Sequence, residues 1–195
     1  MIGWILLVLG GGLALWGIGI YNNLVTLKNT LKTSWGQIDV QLQRRYDLIP
    51  NLVETVKGYM AHEKGTLEGV VEARSQAMAA REAIKKEGGP TEGTIKKLLS
   101  AEGLLQGSLA NIFALSESYP DLKASTTMQQ LQDSLTNTEN KISSAREVYN
   151  HDVRRYNTAQ EVFPANLIAR QFGHHQAELF DVEEPEARKP VEVKF

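Results

Sequence analysis

The chain contains no cysteine, and this absence removes several kinds of chemistry together. Disulfide frameworks, thiolate nucleophiles and zinc–thiolate sites all need the cysteine side chain. The formal net charge is only −2 over 195 residues, so the chain has no broad basic field with which to bind nucleic acid. We therefore expect no nucleic-acid partner.

The common catalytic motifs are missing as well. The chain has no G-x-S-x-G, Walker-type loop, H-E-x-x-H or dinucleotide fingerprint. A di-iron bundle needs Glu-x-x-His on two helices, but His62 follows Tyr59 at that spacing and His151 follows Val148. We predict no catalytic activity, no cofactor and no metal site.

No segment alternates apolar and polar side chains for long enough to form a strand. Three segments instead repeat apolar side chains at steps of three and four, over residues 31–70, 95–119 and 128–163. Such stripes are typical of helices that present one apolar face to their neighbours. Because short connections make consecutive helices antiparallel, we predict an all-α fold: an elongated antiparallel bundle of three long helices plus one short C-terminal helix.

Turn and capping signals mark the predicted boundaries. They are Gly88-Gly89-Pro90 before a helix start at Thr91, Tyr119-Pro120-Asp121 before a cap at Ser125, and Phe163-Pro164-Ala165 before a short helix ended by Gly173. Pro50 lies inside the first stripe, which keeps its phase across it. Because proline removes one helical hydrogen bond, we predict a kink at Pro50 in a continuous helix, with a break and restart as the alternative.

Residues Ile2 to Ile20 carry no charged side chain. As a helix this stretch spans roughly 28 Å at ~1.5 Å per residue, about the thickness of a bilayer's hydrocarbon core. Trp4 near its start, and Trp16 and Tyr21 near its end, lie where aromatic rings anchor a span at the headgroups. We predict a retained transmembrane anchor that continues into the first bundle helix. A cleaved signal sequence and a buried core helix are the alternatives.

Basic side chains lie on only one side of this span. Lys28 and Lys32 follow it closely and Arg44 and Arg45 lie further on, whereas only the amino group precedes it. Basic residues near a span favour the cytoplasmic side. We therefore predict a single-pass protein with its N-terminus outside the cell and its body in the cytoplasm.

Small residues recur along the span at intervals of about one or two helical turns. They are Gly3, Gly10, Ala14 and Gly17, and this spacing places them on one face. In lipid such a face allows another helix backbone to approach closely. We predict a helix-association face and hence a homo-oligomer; the alternative is that glycine is simply frequent in membrane spans.

Two polar clusters interrupt the apolar stripes. The first is Arg44-Arg45-Tyr46-Asp47, and the second is Arg154-Arg155-Tyr156-Asn157. Because the arginine fork pairs bidentately with carboxylates, we predict a buried or half-buried ion network that fixes the register of neighbouring helices, with Arg45 and Asp47 as an ion pair. The alternative is a site at the Pro50 bend that binds an anionic headgroup or a partner peptide.

The end of the chain is acidic and lacks an apolar stripe. Such a composition is typical of disorder. The predicted organisation is therefore an anchor over residues 1–21, a helical bundle over residues 22–173, and an acidic, largely disordered tail over residues 174–195.

Several blocks carry a resemblance to a known family. They are Tyr21–Val25, Trp35–Leu42, Arg44–Tyr59, Tyr156–Asn157 and Phe163–Ala169. Together they resemble the LemA family over nearly the whole chain, and the third block is the most specific. After Gly173 the sequence His174-His175-Gln176 departs from the family's more common aromatic and basic run.

The resemblance implies a bacterial, single-pass protein of the cell membrane with a helical body and a poorly defined biochemical role. One relative is associated with magnetosome membranes. Together with the span this favours a structural protein that self-associates and organises or shapes membrane. The alternative is a membrane-tethered adaptor or sensor that docks a membrane or cytoplasmic partner protein through the Arg44–Asp47 region or the acidic tail.

Overall fold

A computed structural model describes residues 1–60 and 62–181. These residues form six helices and no strand. The helices are α1 (Ile2–Lys57), α2 (Lys64–Lys86), α3 (Glu92–Ser116), α4 (Pro120–Lys123), α5 (Thr126–Glu161) and α6 (Ala165–Gln171). The predicted all-α fold is confirmed.

Helix α1 is both the apolar span and the first helix of the bundle. Its first part exposes apolar side chains on every face, and from Leu24 onward one face is buried against other helices. Its 56 residues correspond to about 84 Å at ~1.5 Å per residue. The prediction that the anchor continues into the bundle without a break is confirmed.

The predicted long first bundle helix is wrong in one respect, because the chain turns between α1 and α2. Gly58 caps α1, and Met60 is buried at the turn. The apolar stripe keeps its phase here, from Val56 through Met60 to Leu67, so periodicity alone does not reveal the break. The bundle consequently has four long helices rather than three.

The other predicted boundaries are confirmed. Gly88 and Gly89 have positive φ angles of 76° and 156°. Thr91 then caps α3 in a capping box with Thr94, which satisfies backbone donors of the first turn. Ser125 caps α5 through the backbone N–H of Met128, and Gly173 follows α6 with φ of 67°.

The helices pack as two antiparallel pairs, α1 with α5 and α2 with α3, around one apolar core. Trp35 of α1 lies edge-on to Tyr149 of α5 with ring centroids 5.6 Å apart. Nearer the start of α1, Tyr21 stacks obliquely on Phe172, which follows α6, with ring centroids 4.7 Å apart. This register places the end of α5 and all of α6 beside the end of the apolar span.

Residues 174–181 follow α6 as an extended segment along α5, which we call the C-terminal strap. The side-chain amide of Asn157 exchanges two hydrogen bonds with the backbone of Ala177, both 2.9 Å, and Asn150 does the same with Phe180 at 2.8 and 3.1 Å. Phe180 is buried beside Trp35. The prediction of a disordered tail is therefore wrong for residues 174–181, and residues 182–195 lie outside the described part.

Pro50 lies on the exposed face of α1, which stays helical through it. A proline has no N–H, so the carbonyl four residues earlier loses its helical partner. That carbonyl belongs to Tyr46, and Arg74 of α2 donates to it from Nε at 2.7 Å. The predicted continuous helix is confirmed, and a side chain of the neighbouring helix replaces the missing donor.

This arrangement predicts a coupling between Arg74 and Pro50. The Arg74→Met substitution keeps the aliphatic stem but leaves the Tyr46 carbonyl unpaired, so the free energy of unfolding should fall by about 1–3 kcal/mol. In a Pro50→Ala background the restored backbone N–H of residue 50 donates to the Tyr46 carbonyl, so Arg74→Met should lower the free energy of unfolding much less. Denaturant unfolding of the four proteins in detergent measures the coupling; equal losses in both backgrounds would contradict it.

Candidate functional site

The guanidinium of Arg45 joins acidic side chains of two other helices inside the bundle. Its Nη1 lies 3.0 Å from a carboxylate oxygen of Glu102 on α3 and 2.9 Å from one of Glu139 on α5. The hydroxyl of Tyr46 donates to the other oxygen of Glu102. These four residues, the Arg45 cluster, connect three helices at one level of the bundle.

A second group, the Arg81 cluster, joins α2 to α1 one to two turns nearer the apolar segment of α1. Arg81 donates to both carboxylate oxygens of Asp39, at 2.5 and 2.9 Å, and to the side-chain oxygen of Gln43 at 2.5 Å. Lys85 adds a contact of 3.4 Å to Asp39. The bidentate fork gives this pair a defined geometry as well as charge neutralisation.

Burial shifts the acidities within the Arg45 cluster. Burial raises the pKa of Glu102 above its ordinary value, and this outweighs the opposing effects of Arg45 and the Tyr46 hydroxyl. Burial and the neighbouring Glu102 carboxylate raise the pKa of Tyr46. The phenol therefore stays protonated at physiological pH and acts as a hydrogen-bond donor.

The first polar cluster predicted from the sequence, residues 44–47, lies partly in the interior of the bundle and partly on its surface. Arg45 and Tyr46 are buried, whereas Arg44 and Asp47 are exposed. Asp47 accepts a hydrogen bond of 2.7 Å from Gln43. The predicted Arg45–Asp47 ion pair is therefore wrong, because the two side chains leave opposite sides of α1 and Arg45 finds its carboxylates on α3 and α5.

The second sequence cluster does not meet the first. Arg154 and Arg155 line a shallow groove with Asn23 and Leu27, about 30 Å from Arg45 along α1 at ~1.5 Å per residue. Tyr156 is buried, and its hydroxyl lies 2.9 Å from Nδ1 of His174. The antiparallel register separates the clusters, since Arg45 is opposite Glu139.

The aromatic residues predicted to anchor the span lie near its two ends. Trp4 and Trp16 are exposed, and Tyr21 is at the border of exposure where its ring meets Phe172. On the small-residue face, a Cβ added to Gly3 or Gly10 would meet nothing within 4 Å, while one on Gly17 would lie 3.7 Å from Cδ1 of Ile168. The open part of this face is thus Gly3, Gly10 and Ala14.

A cleft of about 530 Å³ opens between α1, the α2–α3 turn and the C-terminal strap. Trp35 forms part of its apolar wall, and Lys28, Lys32 and Lys85 contribute basic groups. No local pattern in the sequence predicts this cleft. Its walls come together only through the antiparallel packing and the strap, neither of which leaves a local signal.

The family model of the LemA family matches residues 34–195, which include both buried clusters and the strap. The chain belongs to the LemA family. Helix α1 is also long and apolar enough to cross a membrane, with none of its apolar window buried. The second such helix, α3, packs against α2 and contributes to the bundle core.

Curated LemA-family relatives carry magnetosome names. Magnetosome protein MamQ of Magnetospirillum gryphiswaldense is 28% identical over 185 residues, which cover 88% of this chain and 68% of the relative. Magnetosome proteins MamQ 1 and MamQ 2 of Paramagnetospirillum magneticum match with the same identity and coverage. The family and the apolar α1 together make the chain a membrane-associated helical protein.

Removal of Arg45 alone should cost more than removal of Arg45 together with Glu102. Arg45→Met strands a buried Glu102 carboxylate, so we expect a loss of about 3–5 kcal/mol in the free energy of unfolding. Adding Glu102→Gln removes the stranded charge and should recover part of that loss. Glu139, which is 41% exposed, provides the matched control, since Glu139→Gln should cost about 1 kcal/mol or less. Strictly additive losses in a denaturant double-mutant cycle would contradict a coupled cluster.

The raised pKa of Glu102 predicts a pH dependence of stability. As the pH rises above the ordinary value of 4.5, the unfolded chain releases the Glu102 proton before the folded chain does, so the wild type loses stability until the folded pKa is passed. The Glu102→Gln variant lacks this loss. Its free energy of unfolding relative to wild type should therefore increase over that window.

The exposed Glu92 gives a control of opposite sign for this pH series. The hydrogen bond and charge of Lys96 lower its pKa, so its contribution is present above the unfolded value and lost as the pH falls. Relative to wild type, Glu92→Gln should lose stability as the pH rises toward 4.5. A Glu102→Gln series with the same sign as the Glu92→Gln series would show that Arg45 outweighs burial.

Proposed function

We propose that this LemA-family protein is a structural protein of the bacterial inner membrane, whose copies associate through their spans and thereby organise or shape the membrane. The observation that carries the proposal is the small-residue face of Gly3, Gly10 and Ala14, which no other part of the described chain covers. A close approach of two such faces gives van der Waals contact that lipid chains do not provide.

The continuity of α1 supports an organising role. The span and the bundle share one helix, and the two buried clusters fix the other helices against it. An association between spans therefore sets the spacing and direction of the bundles as well. The magnetosome names of the MamQ relatives agree with a role in membrane organisation.

The proposed orientation places the bundle in the cytoplasm and the N-terminus outside. Lys28 and Lys32 are exposed just beyond the span, where basic residues favour the cytoplasmic side. Arg154 and Arg155 lie at nearly the same level on α5 and add to this positive layer. The apolar segment that precedes Lys28 has no charged side chain to oppose that orientation.

A matched pair of glycine substitutions tests self-association. Gly10→Leu places a large side chain on the small-residue face, whereas Gly12→Leu places it two residues away, about 200° around the helix. We expect Gly10→Leu to lower energy transfer between donor- and acceptor-labelled copies in liposomes several-fold, and Gly12→Leu to leave it near the wild-type value. No energy transfer in the wild type, or equal effects of the two substitutions, would overturn the proposal.

The alternative function is a membrane-tethered adaptor or sensor. The cleft lined by Lys28 and Lys32 and the pair Arg44 and Asp47 favour it, since these four side chains are exposed and take no part in the bundle core. The proposed docking through the acidic tail concerns residues that lie mostly outside the described part of the chain. Docking of a partner does not need contact between spans, so an adaptor would retain its function in the Gly10→Leu variant.

A further inference from the structure

Four large apolar side chains are exposed together where α5 ends and α6 begins and ends. Phe163 is 80% exposed, Phe172 60%, Leu167 59% and Val162 50%. We call these four residues the apolar patch. The third apolar stripe of the sequence predicts Phe163 in the core, but α5 stops at Glu161 and the turn carries Phe163 outward. Several large apolar groups exposed at one end of a helical body favour a partner surface there.

The patch lies at the level where the span leaves the membrane. Ile168 of α6 lies beside Gly17, where an added Cβ would be 3.7 Å from its Cδ1. The ring of Phe172 lies against Tyr21. Gly17 and Tyr21 lie in the last turn of the apolar segment. Helix α6 therefore lies beside that turn and not beside the part of α1 that belongs to the bundle.

The two sides of α6 differ in the manner of an interfacial helix. Ala165 and Ala169 are buried against the protein, while Leu167 faces outward. The helix contains no acidic residue and carries Arg170 in its last turn. Arg154 and Arg155 lie above it, and within residues 1–60 and 62–181 none of these three arginines forms an ion pair. Apolar groups below free basic groups fit the acyl boundary and the anionic headgroups of a bilayer.

We propose that the apolar patch inserts into the lipid headgroup–acyl boundary and gives the protein a second membrane contact beside its span. Lipid is the occupant because the patch continues the lipid-facing surface of α1, where Leu13 and Trp16 are exposed. The span also holds the patch at the bilayer surface, so insertion needs no separate binding event. This contact fixes the tilt and rotation of the bundle relative to the membrane, and it is independent of self-association.

The absence of cysteine allows a direct test with single fluorescent labels on the full chain in liposomes. Leu167→Cys carries an environment-sensitive dye at the patch, and Phe163→Cys provides a second probe. The matched control is Leu104→Cys, since Leu104 is 56% exposed but lies far from the end of the span. Leu104 is close in sequence to Glu102, which pairs with Arg45. Arg45 is about 36 Å beyond Tyr21 along α1 at ~1.5 Å per residue. Each probe replaces an exposed side chain, so the fold should be retained.

Insertion predicts that brominated phospholipids quench the dye at positions 163 and 167, and that aqueous iodide quenches it several-fold less than at position 104. Iodide quenching equal to that of the control would place the patch in water and overturn the proposal. Protection from iodide without quenching by brominated lipid would show that protein, such as a second copy, covers the patch; that result also overturns it. The same measurement in the Gly10→Leu background should be unchanged, which separates this proposal from self-association.

Discussion

The backbone of α1 has one weak point, the turn in which Pro50 cannot donate to the carbonyl of Tyr46. An unpaired carbonyl inside a bundle costs roughly 1–3 kcal/mol, and a proline in a regular helix interior costs about 3 kcal/mol in total. Arg74 reaches this carbonyl from α2. In the same turn Arg45 and Tyr46 bind Glu102 and Glu139 of the other two long helices. The helix is therefore supported by all three neighbours where it supports itself least, and this keeps the span and the bundle in one rod.

Local signals in the sequence predict much of this fold. Stripe periodicity identifies the helical faces, and Gly88, Thr91, Ser125 and Gly173 mark helix ends because capping and positive φ angles depend on a few adjacent residues. Such features need no knowledge of the tertiary arrangement. The apolar span is equally local, since its length and lack of charge are properties of one segment.

The predictions that fail depend on which helices meet and in what register. Arg45 is close to Asp47 in sequence, yet its carboxylates come from residues 102 and 139. The spacing of apolar residues does not reveal the turn after Lys57, because Met60 and Leu67 continue the apolar stripe of α1. The strap is held by Asn150 and Asn157, which bind a backbone 20 to 30 residues away. Asparagine side chains of this kind look like ordinary polar surface residues until the segment that they bind is placed.

Register also determines how the protein meets the membrane. Buried ion clusters add little net stability, because desolvation offsets most of the attraction, but a shift of one helix by a turn would strand their charges. The register of α1 against α5, which brings Trp35 edge-on to Tyr149 and Glu139 opposite Arg45, sets where α5 ends relative to α1. That endpoint brings α6 beside Gly17 and Tyr21. The packing of α1 against α5 thus determines the height of the apolar patch, so a change in helix register would move the patch away from the lipid boundary while leaving the span in place.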